Sequence, residues 1–185
     1  MDVERIRADF PILERRFHGH PLIYLDSAAT SQKPRSVLET ESNFYATENA
    51  NPHRGVYTLS VEATYAYENA RVRVGRFLNV PDPAGVIFLR GTTEAINVVA
   101  TSLGRGLLSP GDHVLTTVME HHSNLVPWSM LRDRHGVILD YLDIDDDGEL
   151  RLEQLDSLLT SKTKVVAVTH ASNVLGTVNP IREIA

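Results

Sequence analysis

The chain has 185 residues, 42% of them hydrophobic and 23% charged, and a formal net charge of −6. This composition and length suit one globular domain with a core and exclude disorder, and an acidic balance without a Lys/Arg stripe argues against a nucleic-acid surface. The absence of cysteine excludes disulfides, thiolate metal sites and a cysteine nucleophile within the chain, while the lack of a membrane-length apolar run and of a signal-peptide start at Met1-Asp2-Val3-Glu4-Arg5 makes no membrane association and a cytoplasmic location the expectation.

In chain order, Leu22-Ile23-Tyr24-Leu25 reads as a short strand ending in a small-residue turn, Asp26-Ser27-Ala28-Ala29-Thr30. Pro34 suits the first turn of a helix carrying Val37, Leu38, Phe44 and Tyr45. Ser60 is placed to cap a longer helix that runs to about Leu78 and buries Ala66, Ala70, Val74 and Phe77, and Pro81-Asp82-Pro83 closes it. Val86–Leu89 reads as a strand, followed by a helix from Thr92 or Thr93 in which Ile96, Val99, Ala100 and Leu103 form one face and Gly104 supplies the stop. Val114–Val118 is strand-like. Leu125–Arg134 is a helix with Pro127 in its first turn and Gly136 at its end, and Val137–Leu142 is the next strand. Asp145-Asp146-Asp147-Gly148 is a turn, Leu152, Leu155 and Leu158 line a further helix, and Val165–Val168 is an apolar strand. This alternation predicts an α/β fold with a mostly parallel sheet covered by helices. Pro180–Ala185 opens like a helix with no stop signal, so the sequence is expected to be the amino-terminal part of a longer protein.

The segment Arg90-Gly91-Thr92-Thr93 reads as an anion site. A helix start leaves backbone N–H groups unpaired and carries partial positive charge, so a glycine for close approach and two hydroxyls suit a phosphate. The alternative is that Thr92 only caps a core helix. Three loops lie at the carboxyl ends of predicted strands, where ligands of such sheets gather: Gly91-Thr92-Thr93, Glu120-His121-His122-Ser123-Asn124 and His170-Ala171-Ser172-Asn173.

Five blocks occur in order: Leu25-Asp26-Ser27-Ala28-Ala29-Thr30, Pro52-His53-Arg54-Gly55, Arg90-Gly91-Thr92-Thr93-Glu94-Ala95-Ile96-Asn97, Met119-Glu120-His121-His122-Ser123-Asn124 and Ser172-Asn173-Val174-Leu175-Gly176. Together they resemble the amino-terminal half of a class V aminotransferase-fold enzyme, most nearly a SUF-type cysteine desulfurase. The resemblance covers nearly the whole chain and implies a truncated fold type I large domain. It divides the chain into a segment 1–60, contributing to the active site and to dimer contacts, and a partial cofactor-binding domain, 61–185. It implies pyridoxal 5′-phosphate as cofactor, held on a lysine, and L-cysteine or a similar amino acid as substrate. It further implies alanine as product, sulfur passed through an enzyme persulfide to iron–sulfur cluster assembly, a sulfur-acceptor protein, and a homodimer when complete.

Carried over by motif, Thr92 and Thr93 would bind the cofactor phosphate, and His121 would stack on the pyridine ring and assist proton transfer. Asn173 would donate to the phenolic oxygen near the substrate carboxylate, and Ala28 and Ala29 would border the substrate. His53 and Arg54 read equally as carboxylate or phosphate binders across a dimer interface or as a solvated loop. Asp26 reads as a turn-former. Metal ligation by His121 and His122 is disfavoured, since neighbours in an extended chain point opposite ways and no His-Glu-x-x-His helix accompanies them, so no metal is expected. Asn173 alone would read as a turn amide.

The resemblance also requires a cofactor-bearing lysine after a later strand, an acidic residue near the pyridine nitrogen, and a cysteine on a mobile loop. Lys33, Lys162 and Lys164, the only lysines, all read as surface charges. The fragment by itself is therefore expected to be inactive. The alternatives are another class V enzyme, kynureninase-like or epimerase-like, and a non-catalytic remnant that binds a phosphate ligand or a partner. A P-loop or dinucleotide enzyme fails on motif, because Gly104-Arg105-Gly106 follows a helix and lacks the Gly-Lys-Ser/Thr continuation.

Overall fold

A computed structural model describes residues 1–185. The chain divides into two compact units, Met1–Phe88 and Leu89–Ala185. The boundary suggested by the resemblance, between residues 60 and 61, instead falls inside the helix Thr58–Phe77. No helix is long and apolar enough to cross a membrane.

In the first unit, helix α1 (Val3–Ala8) is capped by the Asp2 carboxylate, which accepts from the Arg5 N–H at 3.1 Å. A minimal hairpin follows, β1 (Arg16–Phe17) with β2 (His20–Pro21), turned at His18 and Gly19, both with positive φ. Leu22–Leu25 forms no regular element and joins no ladder, so the expected strand does not form. Helix α2 (Arg35–Asn43) starts directly after Pro34 and widens into a π-turn over Phe44–Glu48. Helix α3 (Thr58–Phe77) begins earlier than its sequence suggests. Ser60 lies inside it, fully buried, and its hydroxyl donates to the Asn51 carbonyl at 2.7 Å rather than capping the start.

The buried positions of α3 are Ser60, Ala63 and Gly75. Ala66 and Ala70 are exposed, Val74 is half-buried and Phe77 is 88% exposed. The periodicity marks an apolar stripe, but the cover over the second half of the helix comes from Pro83 and Val86 at Gly75, on another face. Val86–Leu89 likewise reads as a strand yet pairs with nothing, because extended backbone becomes a strand only when another supplies its hydrogen-bond partners. Arg71 supplies one: its guanidinium donates to the Val86 carbonyl and sits 5.1 Å and 5.6 Å from the Tyr67 and Phe88 ring centroids.

In the second unit, helix α4 (Thr92–Gly106) leads to β3 (His113–Thr117), helix α5 (Val126–His135), β4 (Ile138–Leu142), a short helix α6 (Leu155–Leu158), β5 (Thr163–Ala167) and a final turn, α7 (Ile181–Ile184). The strands form a parallel sheet in the order β4-β3-β5, as the alternating pattern predicts. Successive side chains of β3 point to opposite faces. Val114 therefore joins Ala100, Leu108, Trp128, Leu131, Val137 and Ala167, while Leu115 joins Met119, Leu142 and Leu150 on the other face. Both faces are covered, as a parallel sheet requires.

Gly136 ends α5 in the left-handed conformation (φ 69°), as the sequence indicates. Gly104 does not stop α4. It is buried within the helix where α4 meets α5, and a Cβ there would stand 2.4 Å from Leu131 Cδ2. The position is glycine for close approach between helices, not for chain reversal. Gly104→Val should therefore destabilise the chain by about 1–3 kcal/mol through overpacking, read as a lower urea midpoint, with Gly106→Ala, which meets nothing, as the control.

Candidate functional site

The carboxyl ends of β3 and β5 and the start of α4 surround a hollow of about 450 Å³. Thr92, Ile96 and Val99 of α4 line one side, Glu120, His121 and Trp128 another, and residues 165–169 the floor. The site has been assembled by the sheet. Because β3 and β5 are parallel neighbours, their exits lie at the same edge, and the loops beyond them share one crevice.

At the start of α4 the cap position is Gly91, at φ 112°, a conformation that L side chains rarely adopt. Having no side chain, it makes no cap hydrogen bond, and the first intrahelical bond is Ala95 N–H to the Gly91 carbonyl. The N–H groups of Thr92, Thr93 and Glu94 are left aimed outward without protein partners. Glu94 does not occupy them. Its carboxylate turns back to accept from the Arg90 backbone N–H at 2.7 Å and from the Arg90 guanidinium at 2.9 Å. Those two bonds, the side-chain one first, hold its carboxyl below the usual carboxylate range. The nearest acid is thus neutralised by its own cation, leaving the helix start electropositive.

His121 precedes a single turn of tight helix, His122–Asn124, and caps it. Its Nδ1 accepts the Ser123 N–H at 3.1 Å and lies 2.8 Å from the Ser123 hydroxyl. With Nδ1 used as an acceptor, the neutral ring carries its proton on Nε2. The His122 ring stands edge-on to His121 at 78°, 6.1 Å between centroids.

Glu120, which the sequence reading passed over, ties the loop to the sheet. Its Oε1 accepts from the Thr117 hydroxyl at 2.9 Å and from the Thr169 N–H at 2.7 Å, and its Oε2 accepts from the Asn124 amide at 2.7 Å. Asn124 in turn accepts from the Trp128 indole N–H at 3.2 Å. The signal available in the sequence was the four-residue spacing of Glu120 and Asn124 across the paired histidines.

Asn173 sits exposed on the loop after β5 and makes no hydrogen bond. That loop is folded by Ser172, whose hydroxyl accepts from the Val174 and Leu175 N–H groups, and by a bridge between Ala171 and Val178. Asn179, which the sequence places just before the last helix, is buried and anchors the base of the loop through Nδ2 to the Thr169 carbonyl at 2.8 Å. Of the residues singled out, Thr92 and His121 line the same hollow, Thr93 is the next residue along the helix start, and Asn173 is not part of the lining.

Ala28, Ala29 and Arg54 belong to the first unit. Ala28 and Ala29 lie in an exposed turn closed by Ala29 and Thr30 N–H bonds to the Asp26 carbonyl, which is the turn-forming part expected of Asp26. Arg54 is exposed and unpaired, whereas His53, at φ 62°, meets the Glu68 carboxylate at 3.2 Å through Nε2. Lys33 is exposed, as are Lys162 and Lys164, which lie at the amino-terminal end of β5, opposite the hollow.

Residues 23–185 match the sequence model of the family described as aminotransferase class-V. The chain is 52% identical over 182 residues to a cysteine desulfurase of Dickeya dadantii, covering 98% of this chain and 44% of that protein. It is 52% identical over 180 residues to a probable cysteine desulfurase of Synechocystis, covering 97% and 43%. In structure it superposes on the apo cysteine desulfurase of Thermococcus onnurineus with a TM-score of 0.89 at 36% identity, covering 98% of this chain and 43% of that one. For the Escherichia coli cysteine desulfurase CsdA the TM-score is 0.84 at 35% identity, covering 100% and 45%. The chain thus spans less than half the length of these relatives.

The Arg90–Glu94 clasp carries a pH signature. Because the folded carboxyl titrates below its unfolded value, the clasp contributes fully above the ordinary carboxylate range and is lost as pH falls through the lowered folded value. The Arg90 amide resonance should titrate with a midpoint below that of an ordinary glutamate, and Glu94→Gln should abolish that titration.

Proposed function

The chain belongs to the class-V aminotransferase family, and from that premise we propose that it forms the phosphate-binding and ring-stacking side of a pyridoxal 5′-phosphate site in a cysteine desulfurase. The observation that carries the reading is that the uncapped start of α4 and the imidazole of His121, itself the cap of the next helical turn, line one hollow. The donor set fits the cofactor. Unpaired backbone N–H groups, with the Thr92 and Thr93 hydroxyls beside them, suit a phosphate dianion, and a flat imidazole across an apolar wall suits an aromatic ring.

When bound, pyridoxal phosphate supplies an electron sink for the bonds of an amino-acid substrate. Thr92 and Thr93 would hold the phosphate. His121 would lie against the ring, with its Nε2 as the atom that gives or takes a proton. Val99 and Ile96 would exclude water from the hollow's apolar side. Asn173 would donate to the phenolic oxygen, Ala28 and Ala29 would leave room for the substrate, and Arg54 would meet its carboxylate. The whole protein would convert L-cysteine to L-alanine and pass sulfur through an enzyme persulfide to an acceptor protein for iron–sulfur assembly, as a cytoplasmic homodimer. That chemistry needs a lysine on the cofactor and a thiol, and neither a cysteine nor a lysine beside the hollow occurs in this chain.

Titration of the 185-residue chain with pyridoxal 5′-phosphate should shift the amide resonances of Thr92, Thr93 and Glu94 and the ring resonances of His121. Silence at all four positions overturns the reading. The same chain should form no alanine from L-cysteine, and measurable alanine production would show that the lysine and thiol are dispensable.

A further inference from the structure

Glu120 is half-buried at the mouth of the hollow, and three donors from three separate places converge on its carboxylate: the Thr117 hydroxyl at the end of β3, the Thr169 N–H just past β5, and the Asn124 amide. Residues 120 and 124 bracket His121, so the turn carrying the imidazole is fastened at both ends by one side chain. Resting on the functional reading above, we propose that Glu120 is a positioning residue: it locks the His121 turn onto the ends of two neighbouring strands and thereby fixes the ring's place and tautomer before any cofactor arrives.

The argument is one of donors and acceptors. An ionised carboxylate is acceptor-only, and Glu120 faces only donors. A glutamine in its place has one acceptor oxygen and an NH₂ group. With the oxygen toward Thr117 and Thr169, the NH₂ meets the Asn124 NH₂, donor against donor. Asn124 cannot resolve the clash by turning over, because its oxygen already accepts the Trp128 indole N–H and the turned amide would set NH₂ against that N–H. With the glutamine reversed, its NH₂ faces the Thr169 N–H instead. No arrangement keeps all the bonds, although the two side chains have nearly the same shape.

Loosening at residues 120 and 124 would reach His121 through Ser123. The bond from the Ser123 N–H to Nδ1 exists only while residues 121–124 keep their tight turn, and that bond assigns the ring proton to Nε2. A residue that merely supported the fold would change the stability of the chain and leave the tautomer of a folded molecule untouched. The positioning role predicts a change in the tautomer itself.

The test uses nitrogen-15 NMR of the cofactor-free 185-residue chain, comparing wild type with Glu120→Gln and with Asn124→Asp, which keeps the Trp128 bond and opposes Glu120 with a second carboxylate. In the wild type, His121 should show an acceptor-type Nδ1 and a protonated Nε2. In either folded variant it should show an averaged tautomer mixture, with hydrogen exchange of the Ser123 amide faster by about tenfold, the scale of one lost hydrogen bond. A folded variant with the wild-type His121 pattern overturns the proposal. Should both variants fail to fold, wild-type exchange in rising urea decides: Ser123 and Thr169 amides opening together in one local event support a common fastener, and separate openings overturn it. Pyridoxal 5′-phosphate titration of the wild type judges the functional reading independently. Absence of binding there counts against the cofactor site, while the tautomer result in the cofactor-free chain still decides the role of Glu120.

Discussion

Val114 and Leu115 are adjacent in the chain yet belong to different cores, because β3 is covered on both faces and paired on both edges. A strand in that position cannot shift by one residue without exchanging its entire buried set, so its register is fixed from four sides. The register then fixes the exits. Thr117 ends β3 and Ala167 ends β5 at the same edge, tied by the Thr116 hydroxyl to the Ala167 carbonyl at 3.0 Å. The His121 turn and the loop after β5 both leave from that edge, and their placement is inherited from hydrophobic packing rather than built by the loops.

Polar groups then set direction within the hollow. The start of α4 would be an ordinary capped helix if residue 91 carried a serine or aspartate side chain, since such a group would consume the N–H donors that the glycine leaves open. Glu94, three residues into the helix, could have competed for the same ground with its charge, but the Arg90 clasp draws it backward. On the facing side the usual arrangement is reversed. There a histidine side chain is spent as a cap, and by being spent at Nδ1 it keeps Nε2 as its proton-bearing atom. One helix start is left open and the other is closed, and the pair gives the hollow an anion-seeking end and an aromatic side.

What could be read in the sequence and what could not divide along a physical line. Elements whose partners are close in the chain were legible: β3, α5 and β4 have apolar runs, Pro127 at a helix start and Gly136 at its end, and all form near the expected limits. So was the helix start at Thr92, because glycine and hydroxyls in sequence encode it locally. Gly104 was misread because the same residue type serves chain reversal and helix contact, and only the position of Leu131 distinguishes them. Glu120 was missed for a related reason. Its three donors come from positions 117, 124 and 169, and the long-range one leaves no trace in a local pattern. Thr92 and His121 line one hollow, and family resemblance gives no account of what holds them there.

The first unit shows the converse case, in which local pattern is present and the tertiary partner is not. Val86-Ile87-Phe88 has the composition of a buried parallel strand, yet Ile87 is 70% exposed, and the only side chain serving this backbone is Arg71. Burying such a segment without partners for its N–H and C=O groups would cost more than its apolar side chains return. Only Val86 is buried, and Ile87 and Phe88 stay at the surface. Leu22–Leu25 likewise joins no sheet, and the Ala66–Ala70–Phe77 stripe of α3, whose backbone is bonded within the helix, is exposed for want of a packing partner. In each, the hydrophobic pattern specifies a face, and what it packs against has to come from elsewhere in sequence or from another molecule. The second unit meets that condition within its own residues on both faces of β3, which is why its hollow can be described residue by residue.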